Sequence, residues 1–311
     1  MFETGIGLTT TDGLPRSVHI REVGPRDGLQ AEEPVAPSSR AALVRSLVLT
    51  GIVDVEAVSF VSPKAVPAMA GASEVLAGLE LPPAVKVAAL VPNVRGAELA
   101  LGAGIRHLTV TVSASPAYSE RNVHMTREES IIEASAICAI ASSADVPVDV
   151  VLSCSFGSPY EGDIAATEVN RLCDELRSGG AAAVTLADTT GMATPRILDE
   201  VLSMTGVDVG LHLHDTRGTA LLNLYAAISF GVTRFDTAIG GLGGSPFAPG
   251  VGGNVATEDV VALLDDLGVE TGIDLDKLLV VSSQVEDVIG HQVPSRVAHA
   301  GPRTRLQGSQ P

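Results

Sequence analysis

Two histidines separated by a single residue stand out in the stretch LHLHD, residues 211–215. In a β-strand, residues two apart point to the same side, so His212 and His214 would face one interior with neighbouring imidazoles. Such a pair can share a metal ion, although two histidines can also form a polar patch in an ordinary core. The pair alone leaves both interpretations open.

Oxygen ligands for a cation are present at two other places in the chain. Asp27 follows the first β-like run, and Asn254 follows the last. Each residue by itself has a simpler interpretation, a turn or a helix cap. Taken with the histidine pair, a carboxylate and an amide oxygen suit Mg2+ or Mn2+, and the lack of a cysteine ligand argues against structural zinc.

Arg26 and Asp27 are adjacent in EVGPRDGLQ, residues 22–30, where a β-rich run ends. Because they share a turn, we expect the two charges to have separate tasks rather than to pair. Asp27 would hold the metal, and Arg26 would stabilise an anion such as a developing enolate. The competing interpretation is an exposed salt bridge of little energetic value. Glu56, which has apolar neighbours, is either a proton carrier or a structural partner for Arg26.

Two further segments carry polar groups that could meet a ligand. Asp188 and Thr189 end another β-like run and would bond to substrate or to a metal-bound water, although a simple turn explains them nearly as well. The glycine-rich residues 240–254 predict a mobile lid or an anion-cradling loop, without the lysine of a P-loop. Ser245, at its centre, is either a catalytic hydroxyl or an ordinary loop serine.

Eight short apolar, β-branched runs recur along the chain, and Ala/Leu-rich segments of helical spacing lie between them. The runs cover residues 18–23, 52–60, 85–91, 107–115, 146–155, 182–191, 209–215 and 234–243. Eight such units are the number that closes a parallel barrel, so the sequence predicts an α/β fold of the (β/α)8 TIM-barrel type. A doubly wound open sheet is the alternative. Polar and glycine-rich residues cluster at the C-terminal ends of the runs, the rim where such barrels carry their active sites.

The same pattern predicts the domain organisation. We expect a single barrel domain over residues 18–297, preceded by an N-terminal extension over residues 1–17. Residues 258–295 predict extra C-terminal helices within that domain, and residues 298–311 a flexible tail.

Composition limits the class of partner and compartment. Apolar residues make up 45% of the chain and charged residues 18%, which suits a sheet buried on both faces. The net charge of −17 disfavours nucleic acid and anionic membranes as partners, and no apolar run reaches membrane-spanning length. The three cysteines, Cys138, Cys154 and Cys173, lie far apart, as in a reducing compartment, so we expect a cytoplasmic protein.

Six motifs follow one another as EVGPRDGLQ, VSFVSPKAVPAM, SPYEGD, LADTTG, LHLHDTRG and GGLGGSPFAPGVGGNVATEDVV. In this order and at this spacing, over residues 18–297, they resemble the hydroxymethylglutaryl-CoA lyase family. The resemblance implies a (β/α)8 barrel, commonly a homodimer, that uses Mg2+ or Mn2+. It further implies an acyl-CoA substrate, 3-hydroxy-3-methylglutaryl-CoA, which is cleaved to acetyl-CoA and acetoacetate.

The resemblance also implies roles for residues by position. The metal ligands fall on Asp27, His212, His214 and Asn254. The catalytic positions fall on Arg26, Glu56, His212 and Ser245. The substrate-side positions fall on Gln30, Ser59, Asp188 and Thr189.

Two positions depart from the family pattern. The family normally has a proton-transferring cysteine where this chain has Ser245, and a thiol, with a pKa of about 8.5, gives up its proton far more readily than an alkanol. Either His212, Glu56 or a metal-bound water takes over, or the substrate differs. Glu33 stands where the family often has a lysine, which would weaken contact with an anionic ligand.

Two alternatives to the implied activity therefore stay open. The first is a related lyase that acts on another 3-hydroxyacyl-CoA, with Ser245 marking the difference. The second is a catalytically silent barrel that binds an acyl-CoA or a metal as a sensor or scaffold.

Overall fold

The computed structural model of this chain describes residues 13–244 and 252–304. Eight parallel strands follow one another in chain order around a closed barrel, and the eighth pairs with the first. The strands are β1 His19–Glu22, β2 Asp54–Ser59, β3 Lys86–Leu90, β4 His107–Ser113, β5 Val148–Ser153, β6 Ala183–Ala187, β7 Gly210–His212 and β8 Arg234–Thr237. Each predicted apolar run contains one strand, so the barrel prediction is confirmed and the open-sheet alternative is wrong.

Helices surround the barrel in the part of the chain that the structure describes. They are α1 Pro37–Leu49, α2 Ala72–Ala77, α3 Val94–Gly102, α4 Pro116–Val123, α5 Arg127–Ser143, α6 Ala166–Ser178, α7 Pro195–Thr205, α8 Ala220–Phe230, α9 Thr257–Leu267, α10 Leu275–Ile289 and α11 Arg296–Ala300. Side-chain caps mark several starts, and α5 has a full capping box between Thr126 and Glu129. The extra C-terminal helices expected over residues 258–295 are α9 and α10, and α11 follows them.

Aliphatic side chains of the strands and helices form one continuous core, as the composition predicted. The strands are buried on both faces along most of their length; in β5, for example, only Asp149 is partly exposed. All three cysteines are free and buried. Among the described residues, no helix combines the length and apolar character that crossing a membrane requires.

Three short irregular elements connect strands to helices in the described residues, and two of them belong to the site. A single π-helical turn, Gly24–Gly28, follows β1, and a 3-10 turn, Ile239–Gly241, follows β8. The third is the 3-10 turn Pro67–Met69 after β2. Strand β7 ends earlier than predicted, at His212, but His214 continues the extended chain through an isolated bridge to Asn254. That bridge brings the segment after the glycine-rich loop against the end of β7.

Candidate active site

The π-helical turn after β1 determines where Arg26 and Asp27 point. The carbonyl of Val23 accepts the backbone N–H groups of Arg26, Asp27 and Gly28, at 3.1, 2.7 and 3.3 Å. Gly24 starts the turn against Glu22, where a Cβ atom would lie 2.6 Å from Oε1 of that glutamate. Only glycine fits without displacing the glutamate, so the sequence Gly-Pro-Arg-Asp-Gly winds tightly enough to direct both charged side chains into the barrel mouth.

The predicted metal ligands converge at that mouth. Nε2 of His212 lies 3.2 Å from Nε2 of His214 and 3.9 Å from Oδ2 of Asp27. Ligand atoms of these three residues all lie within 4.8 Å of one another. Asn254 joins them, since its Nδ2 donates to Oδ2 of Asp27 at 2.7 Å and to the carbonyl of Leu242 at 2.9 Å. The structure thus brings all four predicted ligands together.

The chemistry of this cluster fits a divalent cation. Oδ1 of Asn254 and Nδ1 of His214 are both buried, and neither atom forms a hydrogen bond with another residue that the structure describes. A buried polar atom left unpaired costs about 1–3 kcal/mol, so a cluster of this kind gains from an additional partner. Two imidazole nitrogens, one carboxylate and one amide oxygen form a donor set that suits Mg2+ or Mn2+.

The electrostatics of the cluster favour the deprotonated forms of His214 and Asp27, whereas they favour the protonated form of His212. Burial, together with the nearby His212, lowers the pKa of His214 to about 3, so that its ring is neutral at ordinary pH. Burial raises the pKa of Asp27, but the positive charge of Arg26 and the two histidines outweigh it and bring that pKa down to about 2. For His212, burial lowers the pKa, yet the hydrogen bond and charge of Asp236 leave it above the ordinary value.

Arg26 forms ion pairs through two of its nitrogens, and one of these pairs contradicts a prediction made from the sequence. Its Nη1 donates to Oδ1 of Asp27 at 2.6 Å, and its Nε donates to Oε1 of Glu56. The prediction that Arg26 and Asp27 do not pair is therefore wrong. The pair is largely buried rather than exposed, and an unpaired charge in such surroundings would be costly. Of the two interpretations of Glu56, the structure shows the partner of Arg26. Oε2 of Glu56 is buried and has no hydrogen bond within residues 13–244 and 252–304.

Two of the predicted substrate-side residues, Asp188 and Thr189, accept hydrogen bonds from backbone N–H groups. Oδ1 of Asp188 accepts the backbone N–H groups of Met192 and Ala193, at 2.7 and 3.0 Å, as in a turn. Its Oδ2 is buried and has no hydrogen-bond partner in the described part of the chain, and burial raises the pKa of Asp188 to about 7. Thr189 accepts the N–H of Cys154 at 2.9 Å, so its hydroxyl braces the end of β5.

The remaining predicted residues are less constrained by the described structure. The hydroxyl of Ser59, at the end of β2, is buried and has no hydrogen-bond partner among the residues that the structure describes. Gln30 follows the π-helical turn and is half-buried, and Glu33 is exposed. Ser245 lies outside the described residues, so its predicted role stays a prediction.

Sequence reasoning missed the carboxylate that touches His212. Asp236 of β8 accepts hydrogen bonds from Nε and Nη2 of Arg21 at 2.8 and 2.7 Å, and its Oδ2 lies 3.1 Å from Nδ1 of His212. The available signal was weak, because it consisted only of a charged residue inside each of two predicted strands, Arg21 in HIRE and Asp236 in RFDT. Only the closure of the barrel makes these runs neighbours.

An eight-stranded parallel barrel that collects buried polar groups at the C-terminal ends of its strands has the architecture of a barrel enzyme. A family model described as HMGL-like matches residues 17–285, and the chain belongs to that family.

Characterised relatives are similar to this chain over nearly its whole length. Hydroxymethylglutaryl-CoA lyase of Bacillus subtilis is 40% identical over 289 residues, 91% of this chain and 96% of the relative. A 3-hydroxy-3-isohexenylglutaryl-CoA/hydroxy-methylglutaryl-CoA lyase of Pseudomonas aeruginosa is 40% identical over 293 residues, 92% of this chain and 98% of that enzyme. The solved structure of an HMG-CoA lyase from Acinetobacter baumannii, in complex with coenzyme A and 3-methylmalate, superposes with a TM-score of 0.89 at 38% identity. That match covers 97% of this chain and 99% of the other.

Proposed function

We propose that this chain is a metal-dependent carbon-carbon lyase that cleaves 3-hydroxy-3-methylglutaryl-CoA to acetyl-CoA and acetoacetate. The observation that carries the proposal is the convergence of Asp27, His212, His214 and Asn254 beside the buried Arg26. Membership of the HMGL-like family supports it. The reaction is a retro-Claisen cleavage, which needs a base for the C3 hydroxyl, a stabiliser for the acetyl-CoA enolate that leaves, and a proton donor that converts this enolate to acetyl-CoA.

Asp27, His212, His214 and Asn254 are the residues that would hold the cation, Mg2+ or Mn2+. When bound, such a cation lowers the pKa of an oxygen that it contacts, here the hydroxyl of the substrate. The rest of the chemistry falls to side chains of the barrel mouth.

Arg26 has the geometry of an enolate stabiliser. Its Nε and Nη1 are occupied by Glu56 and Asp27, whereas Nη2 forms no hydrogen bond with any described residue. A guanidinium fixed on two edges presents its remaining N–H groups in a set direction, and preorganised donors of this kind stabilise developing negative charge. Burial lowers the pKa of Arg26, but Glu56 and Asp27 more than offset this, so it remains charged.

Proton transfer has two candidate carriers among the described residues. Nε2 of His212 faces the ligand cluster, and Oε2 of Glu56 is buried beside Arg26 without a hydrogen bond to any described residue. We assign the proton of the C3 hydroxyl to Glu56, because Nε2 of His212 would bind the cation and Ser245 replaces the thiol that the family normally uses. Asp188, with its unpaired Oδ2, and the unpaired hydroxyl of Ser59 would contact the substrate, together with Gln30 and Thr189.

The test of the proposed activity is a panel of 3-hydroxyacyl-CoA thioesters assayed with Mg2+ and with Mn2+. We expect cleavage of hydroxymethylglutaryl-CoA by the wild type and faster cleavage by Ser245→Cys, since a thiol is a better proton donor and acceptor near neutral pH. Retention of metal without product from any thioester would instead favour a silent binding barrel.

The second candidate is a lyase for a longer or differently branched 3-hydroxyacyl-CoA. The observation that favours it is Ser245 in place of cysteine, and the Pseudomonas aeruginosa relative carries isohexenylglutaryl-CoA in its name. In the same panel, this candidate predicts a higher kcat/KM for a branched C3 substituent longer than methyl. It also predicts that Ser245→Cys shifts the preference toward the methyl substrate.

We further propose that the protein is a cytoplasmic homodimer with one catalytic domain over residues 18–297. The free, buried cysteines fit a reducing compartment. Light scattering coupled to gel filtration checks the dimer: the expected mass is twice that of the chain, and a monomer at micromolar concentration contradicts it.

A further inference from the structure

A row of charged side chains, buried at Asp236 and Arg21 and partly exposed at Asp149, reaches from β8 through β1 to β5 on the opposite side of the barrel. Arg21 of β1 donates from Nε and Nη2 to both oxygens of Asp236, at 2.8 and 2.7 Å. Its Nη1 lies 2.7 Å from Oδ2 of Asp149 on β5, and the hydroxyl of Thr185 on β6 donates to the same carboxylate. Asp236 is thus held in one plane by a two-point contact with a guanidinium that is itself fixed from the far side.

One end of this row contacts His212. Oδ2 of Asp236 lies 3.1 Å from Nδ1 of His212, and the two residues are register partners on neighbouring strands. A carboxylate that binds a guanidinium at both oxygens is ionised, and an ionised carboxylate only accepts hydrogen bonds. Nδ1 must therefore carry a ring proton. In the neutral ring, Nε2 then presents its lone pair toward His214 and Asp27, at 3.2 and 3.9 Å.

We propose that Asp236, fixed by Arg21, is a positioning residue of the metal site that holds His212 in the Nδ1–H tautomer. The inference rests on the metal site of the proposed function. Without the carboxylate, the neutral imidazole is free to place its proton on Nε2, between His214 and Asp27, and that tautomer cannot donate Nε2 to a cation. Asp236 and Arg21 act through His212 and touch no reacting atom.

The tautomer itself can be observed in the wild type. Two-bond 1H–15N spectra of the metal-free protein with 15N-labelled histidine, recorded at increasing pH until the ring of His212 is neutral, report which ring nitrogen carries the proton. The signals of His212 are assigned by their loss in His212→Gln. We expect the Nδ1–H tautomer. An Nε2–H tautomer would overturn the proposal, and this measurement requires no variant of Asp236 to fold.

The affinity for Mn2+, measured by electron paramagnetic resonance of the free ion, gives a readout independent of activity. Asp236→Asn should weaken binding about 10–100-fold, the usual cost of losing such a partner of a ligand histidine. Asp54→Asn is the matched control, because Asp54 also contacts a histidine, His19, at 2.8 Å and lies away from the ligand cluster. It should leave the affinity unchanged.

A second variant separates positioning from simple charge balance. Arg21→Lys keeps a cation beside Asp236 but loses the two-point contact, since an ammonium group is not a planar fork. If Arg21 and Asp236 only neutralise each other, Arg21→Lys binds Mn2+ like the wild type, which counts against the proposal. If the fork fixes the carboxylate, the affinity falls to a value between those of the wild type and Asp236→Asn. Thermal melts monitored by circular dichroism establish that each variant is folded.

The outcomes distinguish this inference from the proposed function. If the wild type does not bind Mn2+, both the positioning role of Asp236 and the proposed function are overturned. Binding by the wild type with equal affinity in folded Asp236→Asn overturns the positioning role alone and leaves the proposed function standing.

Discussion

The two ion-pair partners of Arg26 determine which of its nitrogens can contact a substrate. Asp27 and Glu56 hold two of its three nitrogens, and the whole group lies in the barrel mouth, with the Arg26 side chain only 10% exposed. Asp27 is therefore shared between the guanidinium and the ligand cluster. The arrangement links the strength of the ion pair to the availability of Asp27 for a cation.

Replacing Arg26 with alanine should lower kcat about 10²–10³-fold, the typical cost of losing one preorganised donor to a developing anion. The affinity for Mn2+ should not fall, because Asp27 loses a competing partner. Steady-state kinetics and a Mn2+ titration of the same preparation measure both quantities.

Arg26→Lys is the conservative comparison for this prediction. A lysine keeps the charge but cannot bridge Asp27 and Glu56 as a fork does, so its kcat should lie between those of the wild type and Arg26→Ala. An alanine variant with wild-type turnover would exclude Arg26 from the chemistry.

The short elements at the strand ends are joined by buried glutamates. Glu22, the last residue of β1, accepts the N–H groups of Gly24 and Ile239 at 2.7 and 2.9 Å and the hydroxyl of Thr257 at 2.6 Å. One carboxylate thus connects the π-helical turn, the 3-10 turn and the start of α9. These are the elements that carry Asp27 and flank the glycine-rich loop.

Glu258 in the first turn of α9 is the second such glutamate. It accepts hydrogen bonds from the N–H of Gly240 and the hydroxyl of Ser282. Burial raises its pKa from 4.5 to about 8, and the negative charges of Glu22 and Asp259 add to that shift. The folded protein therefore holds a proton that the unfolded chain releases, so this group makes stability fall as the pH rises from about 4.5 to about 8.

The variant Glu258→Gln should remove that part of the pH dependence. Between pH 5 and 8, the free energy of unfolding of the wild type should fall relative to the variant, by up to about 1.4 kcal/mol per pH unit. Urea denaturation at each pH measures the difference. Parallel curves for the two proteins over this range would show that Glu258 does not retain a proton in the folded state.

Gly243, in the glycine-rich segment 240–254, lies against Asn254 and Asp27, two of the proposed metal ligands. A Cβ atom there would approach Nδ2 of Asn254 to 2.5 Å and the carbonyl oxygen of Asp27 to 3.3 Å, at a φ of +109°. Gly243→Ala should therefore displace Asn254 and reduce the affinity for Mn2+, in addition to a backbone cost of about 1–2 kcal/mol.

Gly231→Ala is the matched control for that prediction. Gly231 has a similar φ of +105° at the end of α8, but a Cβ atom there would meet nothing within 4 Å. It should lose stability to a similar extent and keep wild-type Mn2+ affinity, as measured by chemical denaturation and titration. Equal Mn2+ affinities for the two variants would contradict the assigned contact with Asn254.

At the scale of the whole molecule, the site depends on the closed barrel. The proposed metal ligands come from the turn after β1, from β7 and its extension, and from the segment that precedes α9. These segments lie far apart in the sequence, so the ligand cluster exists only in the folded state. Binding of a cation to the folded form alone must then stabilise the entire protein.

Mn2+ at 100 times its dissociation constant should raise the free energy of unfolding by about 2.7 kcal/mol. Denaturation with and without the ion, after treatment with a chelator, measures this gain. His214→Ala should abolish it, because the variant lacks one ligand. An equal gain in that variant would indicate that Mn2+ binds elsewhere.

Part of the fold and of the site could be read from local sequence patterns. Apolar runs at regular spacing predicted all eight strands, because a strand buried on both faces needs an unbroken apolar stretch. The two-residue spacing of His212 and His214 predicted a shared side, because side chains alternate along extended backbone. The extension of β7 as an isolated bridge preserved this alternation beyond the end of the regular strand.

The amino-acid sequence by itself determined the strand and helix order, the ligand types and the rim on which they lie, since each depends on residues close together in the chain. The tertiary structure decided the partners: Glu56 and Asp27 for Arg26, and Asp236 for His212. Arg21 and Asp236 are separated by 215 residues and meet only because β8 pairs with β1. Local periodicity does not predict which buried charges face each other across a closed barrel. The register of strand pairing determines those contacts.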